Sequence, residues 1–420
     1  MGTATKVSKL HKSFDSLIPV QEARRILGKA MKLPIVPENI SLDQAAGRMV
    51  ISDFFAQESS PGFPRSAMDG YAVRSADIEN ASLEHPVRIR VGGDILIGEV
   101  PHRAGKDATC MKIPTGGYVP EPFDAVIPVE RATLDGEDII AIERLKPGSN
   151  IDPEGSDYRK GEVLIRKGTI LRSKDIIAIA SQGKQNVRVL KKIRIGIVST
   201  GNEITPVGGH LEPGARYDSN SWGIMAALGE TGQFTATNYG IAKDTRDETE
   251  SLIKRVFKEN DLVITTGGTS AGEKDYVYRA ASDMSPGIQF HGLKVKPGMP
   301  ALFALNANKG MIGLPGPSVS AMMLLYDLFM PEMLSTLGAT GIPIQMKYSL
   351  ARDLRLSRGR LNLVPVSLSM EARKACPLTG GSGALGRLPR ANGYIALEGD
   401  VDVLREGAEV WVRPFSPLPM

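Results

Sequence analysis

The chain has 420 residues, 42% hydrophobic and 23% charged, which is enough to bury cores in about two to four domains. A formal charge of +4 leaves no electrostatic footprint for DNA or RNA, and an aromatic content of 5% speaks against a base-stacking platform, so no nucleic acid is expected as a partner. Cys110 and Cys376, with no CxxC pair, support neither a disulfide framework nor a cysteine zinc site and fit a reducing cytoplasmic setting.

The opening MGTATKVSKLHKSFDSL has no apolar signal core. The most apolar stretch, residues 321–330, is too short for a membrane span and contains Asp327, so no membrane contact is expected. Residues 18–33 place Ala23, Ile26, Leu27 and Ala30 at helical spacing. From Pro61 to Asp157 the chain is dense in glycine, proline and short β-type runs: VRIRV (87–91), ATCMKI (108–113) and DAVIPV (124–129). This predicts a small all-β module with turns at Gly92-Gly93, Gly116-Gly117 and Gly136. LIRKGTIL (164–171) and a helix over Ser173–Ser181 lead to a boundary near Lys191-Lys192.

Beyond it, strands and helices alternate. IRIGIVSTG is a buried strand ending in small residues, residues 221–231 form a helix stopped by Gly232, and FTATNYGIA (234–242) is the next strand. Thr245 with Glu248 has the spacing of a capping box, opening a helix whose apolar face is Leu252, Ile253, Val256 and Phe257. DLVITTGG (261–268) and GMIGLPG (310–316) are further strands with glycine loops, the second followed by a helix over residues 318–334. The alternation predicts a doubly wound, mostly parallel α/β sheet. After Gly338, YSLARDL, LNLVPVSL, GYIALEG and AEVWVRP predict a small C-terminal β-barrel.

Open α/β sheets bind ligands beyond the carboxyl ends of their strands, where loops meet helix N-termini. Three loops have that position here: Ser199-Thr200-Gly201, Thr265-Thr266-Gly267-Gly268 and Leu314-Pro315-Gly316. Small residues there let backbone N–H groups approach an anion, although each glycine taken alone is equally a tight turn. Neither GxGxxG nor GxxxxGK[ST] is present, which excludes ordinary dinucleotide and P-loop readings. Glu203, Asp244 and Asp275 follow these loops; such carboxylates either share a divalent cation with a phosphate, as Mg²⁺ does, or serve as a helix cap and solvated charges. Lys296 in KVKPG offers a compact positive charge for an oxyanion, or is a solvated surface lysine. In SAMDGYAVRSAD (66–77), Asp69-Gly70 reads as a turn dipeptide.

SAMDGYAVR, VSTGNEI, the GIAKD step, TTGGTSAGEKDY, KPGMP and GLPGPSVSAMM resemble, in order and spacing, the MoeA family, which includes the E domain of gephyrin. The resemblance covers almost the whole chain. It implies a multidomain protein: an N-terminal linker and dimerisation domain (15–60 and 158–190), a β-rich inserted domain (61–157), an α/β molybdopterin-binding domain (191–340) and a C-terminal β-barrel (341–420). It implies an enzyme, a molybdenum insertase that places molybdate, or tungstate, into adenylylated molybdopterin with Mg²⁺-dependent release of AMP. It also implies an elongated homodimer in the cytoplasm and transient contact with other molybdenum cofactor biosynthesis proteins.

Carried over by motif, the catalytic residues are Asp69, Glu203, Asp244, Asp275 and Lys296, with Glu203, Asp244 and Asp275 as the metal ligands. Asp69 would enter the site from the partner subunit, with Thr115 on the same wall. Substrate contacts would come from Ser66, Thr115, Gly116, Ser199, Thr200, Gly201, Thr266, Gly267, Gly268, Ser270, Gly272, Pro297, Gly298, Pro315 and Gly316. The chain departs from the common bacterial pattern at Met299, where a second lysine often follows KPG, at Pro317 and Ser318 in GLPGPSVS, and at Asp152, where an arginine is common. Two other readings use the same α/β domain: a non-catalytic molybdopterin carrier or scaffold, and a molybdopterin adenylyltransferase-like or nucleotide-hydrolase enzyme. The SAMDGYAVR module and the C-terminal barrel speak against the second, and the acidic residues against the first.

Overall fold

The computed structural model describes residues 17–100, 109–270, 275–340, 344–399 and 401–415. The chain divides into two compact units, one of Met1–Ser52, Lys167–Ile177 and Lys184–Met420, the other of Asp53–Arg166 and Ala178–Gly183.

The smaller unit is built on a six-stranded sheet in the order Ala125–Pro128, Gly70–Val73, Thr109–Ile113, Val87–Asp94, Asp138–Ala141, Ala132–Asp135. Every residue of Gly70–Val73 is buried, flanked by Thr109–Ile113 and Ala125–Pro128. Gly70 is required there, since a Cβ would lie 2.0 Å from the carbonyl oxygen of Ile127. The Asp69-Gly70 pair is therefore the entry to a central strand and not a bare turn. Gly92-Gly93, expected as a turn, lies inside Val87–Asp94, where the register against Thr109–Ile113 shifts between Val91 and Asp94. Glycine without a side chain lets the strand bulge and continue.

The larger unit holds the expected doubly wound α/β sheet. Its order is Phe234–Ala242, Ile193–Thr200, Leu262–Thr266, Lys309–Leu314, Leu302–Asn306, Pro286–His291. The first four run parallel, and the last two add an antiparallel edge that the sequence reading did not anticipate. Leu262–Thr266 is buried throughout, as a parallel strand covered on both faces must be. Helix α1 is Val20–Ala30 and α2 is Ser173–Ser181; α3 (Ser219–Glu230) and α4 (Arg246–Glu259) belong to the α/β domain. Helix α4 turns Thr249, Ile253, Val256 and Phe257 inward at helical spacing. The predicted capping box does not form: Thr245 is the N-cap, but its side chain accepts no capping bond. Thr249 Oγ1 reaches back to the carbonyl of Lys243 instead (3.3 Å).

The sequence predicted one helix over residues 318–334. The structure has α5 at Tyr276–Ser282, α6 at Ser318–Leu324, a π-helical turn at Leu325–Phe329 and α7 at Met330–Thr336. The wider turn carries Asp327 inward to 1% exposure, where it meets Arg24 of α1 (3.0 Å) and Arg413 of Glu409–Pro414. The C-terminal strands close on themselves: Leu361–Ser369, Lys374–Pro377, Met346–Leu350, Glu409–Pro414 and Gly393–Leu397 form a ring, because Gly393–Leu397 pairs back to Leu361–Ser369. Val295–Lys296 adds a short parallel strand to Leu361–Ser369. No described helix is long and apolar enough to cross a membrane.

Gly196 sets how closely α4 lies on the sheet. A Cβ there would stand 2.1 Å from Val256 Cγ1 and 2.8 Å from Asn260 Nδ2. Gly196→Ala is expected to destabilise the protein by about 1–3 kcal/mol through overpacking. Calorimetry of the variant checks this as a lowered unfolding midpoint; an unchanged midpoint would show that α4 yields without cost.

Candidate active site

Chain direction places the topological switch of the α/β sheet between Ile193–Thr200 and Leu262–Thr266, because the strand after Ile193–Thr200 lies on its other side. Ligands in such sheets sit at that crevice, outside the carboxyl ends of the strands. The three loops read from the sequence meet there. Gly267 N–H donates to the carbonyl of Leu314 (3.0 Å), and a Cβ on Gly316 would lie 3.8 Å from Gly267 Cα. A Cβ on Gly267, whose φ is +87°, would stand 2.7 Å from the carbonyl oxygen of Thr200. One on Gly268, at φ +62°, would stand 2.8 Å from Val277 Cγ2 and 3.0 Å from Thr200 Oγ1. Gly267 is thus required by a backbone contact and Gly268 by side chains packed against it, beyond the turn each makes, while Gly316 only touches Gly267.

Beneath these loops lies a buried polar cluster. Ser199 Oγ donates to Asp218 Oδ1 (2.7 Å) and lies 2.8 Å from Ser221 Oγ and 3.2 Å from Thr266 Oγ1. Asp218, 4% exposed, is the N-cap of α3 and also accepts from Ser221 N–H (3.2 Å) and Asn238 Nδ2 (3.4 Å). Asn220, in the first turn of the same helix, donates through Nδ2 to the carbonyl of Gly316 (2.8 Å). Thr200 Oγ1 donates to the carbonyl of Thr266 (3.3 Å). Asp218, Asn220 and Ser221 were missed in the sequence, where the helix was started at Ser221; Asp ahead of an apolar helical pattern is itself an N-cap signal.

The acidic residues are arranged more loosely. Asn202 N–H donates to Asp244 Oδ2 and Asp244 N–H to Asn202 Oδ1, both at 3.1 Å, which fastens the loop after Ile193–Thr200 to the loop after Phe234–Ala242. Glu203 is next in the chain, and its carboxylate lies so close to Gly201 that a Cβ there would meet Oε2 at 2.6 Å. Asp275 is the N-cap of α5. Among the described residues no group of three His, Cys, Asp or Glu side chains stands close enough to enclose a metal. The Asp244 carboxylate is held by one backbone donor, Asn202 N–H. An oxygen-only pair on two adjacent loops nevertheless suits Mg²⁺, which takes one or two carboxylates and completes its shell with phosphate and water. Ser270 is exposed beyond the Thr269 carbonyl, which His291 Nε2 contacts at 2.7 Å, and Gly272 lies outside the described residues.

Lys296 stands apart from the loop cluster. It lies on the strand paired with the barrel, and its ammonium donates to Ser357 Oγ (2.8 Å). Pro297 follows, and Gly298 (φ +117°) packs so closely on α6 that a Cβ would stand 2.6 Å from Leu324 Cδ1. Leu324 ends α6, whereas Pro315-Gly316 precedes its start, and seven residues of helix rise about 10 Å.

In the smaller unit, Ser66, Asp69, Thr115 and Gly116 form one local group. Gly116 N–H donates to the carbonyl of Ser66 (2.7 Å), and Asp69 Oδ1 accepts from Thr115 N–H (2.7 Å) and Thr115 Oγ1 (3.0 Å). The backbone donor first, and the hydroxyl second, hold the Asp69 carboxyl below its ordinary value. A separate cavity of about 530 Å³ lies among α1, α7 and the barrel, but its buried acid, Asp327, is already answered by Arg24 and Arg413.

The chain matches three family models in succession: the MoeA N-terminal region (domains I and II) over residues 18–183, a probable molybdopterin binding domain over 196–335, and the MoeA C-terminal region (domain IV) over 347–415. A Haemophilus influenzae protein named molybdopterin molybdenumtransferase is 29% identical over 409 residues, spanning 96% of this chain and 100% of its own. A Mycobacterium tuberculosis protein named molybdopterin molybdenumtransferase 2 is 32% identical over 325 residues, 76% of this chain and 80% of its own. The crystal structure of the molybdopterin biosynthesis protein MoeA from Pyrococcus horikoshii superposes with a TM-score of 0.82 at 29% identity, covering 95% of this chain and 99% of that one.

Thr115→Val deletes the hydroxyl donor to Asp69 while keeping the backbone N–H. NMR titration is expected to show the Asp69 carboxyl protonating at higher pH than in the parent chain. Because the folded value is depressed, the stability these bonds lend is present above the unfolded carboxylate range and is lost as pH falls through the folded value. An unmoved Asp69 titration would show that the hydroxyl contributes nothing.

Proposed function

The chain belongs to the MoeA family of molybdopterin molybdenumtransferases, and from that membership we propose that it inserts molybdate into adenylylated molybdopterin, releasing AMP. The observation that carries this reading is the crevice at the sheet's switch point. Three glycine-bearing loops touch there through their backbones, with Glu203 and Asp244 on adjoining loops at its rim. Such a crevice offers backbone N–H groups to phosphate oxygens at close range and oxygen ligands beside them.

In this reading Thr200, Gly201, Gly267, Gly268 and Gly316 cradle the pyrophosphate, and Pro315 shapes the third loop. Asp244 and Glu203 hold Mg²⁺, with Asp275 approaching from the N-terminus of α5. Magnesium would supply charge neutralisation on the pyrophosphate oxygens. The two bonds between Asn202 and Asp244 keep the Asp244 carboxylate on one side of the crevice, so that its second oxygen is free for the ion. Lys296 and Pro297 face the oxometalate, Lys296 as a compact cation whose donors also reach Ser357. Asp69, with Ser66, Thr115 and Gly116, acts from the partner subunit of a homodimer. The same reading places the protein in the cytoplasm, in transient contact with other molybdenum cofactor biosynthesis proteins, and leaves tungstate as the competing cargo.

Purified full-length protein given adenylylated molybdopterin and Mg²⁺ is expected to release AMP only when molybdate or tungstate is added, and the more effective anion names the metal. Asp244→Asn should lower that release on the order of a hundredfold with the fold intact by circular dichroism. Tight pterin binding with no AMP release under either anion would replace the insertase with a carrier. Full turnover in Asp244→Asn would remove that residue from the chemistry.

A further inference from the structure

Lys296 is an exposed residue whose one hydrogen bond among the described residues goes to a neutral partner, Ser357 Oγ (2.8 Å). An ammonium only donates, so the Ser357 hydroxyl is the acceptor of that bond. Among the described residues no carboxylate pairs with Lys296, whereas Arg358, next to Ser357 in the chain, is paired with Asp402 (2.6 Å). The lysine is therefore held in place without being neutralised. Its charge and its two remaining N–H groups stay available to an anion.

Ser357 is itself fixed from behind. Asn362, 4% exposed, accepts from Ser357 N–H through Oδ1 (2.8 Å) and donates through Nδ2 to the Ser357 carbonyl (2.9 Å). The same Nδ2 reaches the carbonyls of Arg360 (3.0 Å) and, on the neighbouring strand, Leu397 (3.5 Å). One buried amide thus clasps both backbone groups of Ser357 and closes the loop 357–360, whose reversal Gly359 permits at φ +66°. Asn362 is also the register partner of Lys296 where their strands run parallel, so the lysine and the residue that fixes its acceptor share one pair of strands. An exposed lysine resting on a hydroxyl is worth little by itself, but a buried amide with three bonds to that one loop is not incidental.

We propose that Ser357 is a positioning residue for the oxometalate: held by Asn362, its hydroxyl orients the Lys296 ammonium for the anion. The inference rests on the reading that Lys296 meets molybdate. A lysine head on a four-carbon stem gives up rotamer freedom when an anion fixes it, and the bond to Ser357 takes up part of that loss beforehand.

The test follows AMP release by the full-length protein, reading the KM for molybdate and the KM for adenylylated molybdopterin separately. Ser357→Ala is expected to raise the KM for molybdate about fivefold and to leave the other KM within about twofold, part of the cost of a hydrogen bond to a charged group. Ser357→Thr, which keeps the hydroxyl, should stay near the parent value. In a Lys296→Met background Ser357→Ala should add no further rise, because the two residues act in series. Asn362→Ala is expected to match Ser357→Ala. If it fails to fold, the Ser357 variants still decide, since Ser357 is half-buried and Asn362 holds its backbone, not its hydroxyl. A Ser357→Ala effect that adds to that of Lys296→Met, or that moves both KM values alike, is a structural effect and overturns the inference. An unchanged molybdate KM in Ser357→Ala beside a raised one in Lys296→Met also overturns it, and leaves Lys296 at the oxometalate. An unchanged molybdate KM in Lys296→Met overturns that reading and the inference together, and a parent chain that releases no AMP does the same.

Discussion

The crevice exists because two backbones touch. The carbonyl of Thr200 occupies the space that a side chain at Gly267 would need, and Gly268 is closed in by the side chains of Thr200 and Val277. Any residue with a Cβ at these positions would push the first and second loops apart and strain a backbone already in the left-handed region. Everything else at the site is arranged around that contact. Gly316 reaches Gly267 because Gly267 N–H is tied to Leu314, and Asn220 fixes Gly316 in turn. The order of dependence runs from strand spacing to loop contact to side-chain network.

A second constraint ties the barrel into the larger unit. Asp327 is 1% exposed and carries a charge that burial alone would make untenable; Arg24 and Arg413 approach it from α1 and from the last barrel strand. A buried ion pair of this kind adds little net stability compared with apolar packing, but removing one partner strands a charge. It joins three elements at one point: α1, the π-helical turn and the last barrel strand. The π-helical turn at Leu325–Phe329 is what delivers the carboxylate to that point, and it stands midway along the helical run, from α6 to α7, that begins beside Gly316.

The parallel sheet was legible because buried strands and amphipathic helices alternate with clear periods, and the glycine loops because Gly at strand ends has few other uses. The antiparallel edge, Pro286–His291 and Leu302–Asn306, was not: it is interrupted by the Lys296-Pro297 corner, and the pair that turns Leu302–Asn306 back onto Lys309–Leu314, Ala307-Asn308, is not one of the usual hairpin dipeptides. Asp218 was hidden for a related reason. It lies after PVGGHLEPGARY, a run dense in turn residues, and only the start of α3 reveals it as a cap. Residue type identified Glu203 and Asp244 as acidic neighbours of the loops, but no spacing rule reveals that Asn202 bonds Asp244.

The hydroxyls of Ser199 and Thr266 illustrate a limit of reading chemistry from residue type. A serine or threonine beside a glycine loop looks like a donor for phosphate, yet its proton goes wherever the strongest acceptor stands. With Asp218 beneath it, Ser199 gives its proton inward, and the groups bonded to Ser199 follow. Whether such a hydroxyl donates or accepts is therefore set by the residue behind it. The donors that stay available at such a site are backbone N–H groups that no carbonyl has already claimed.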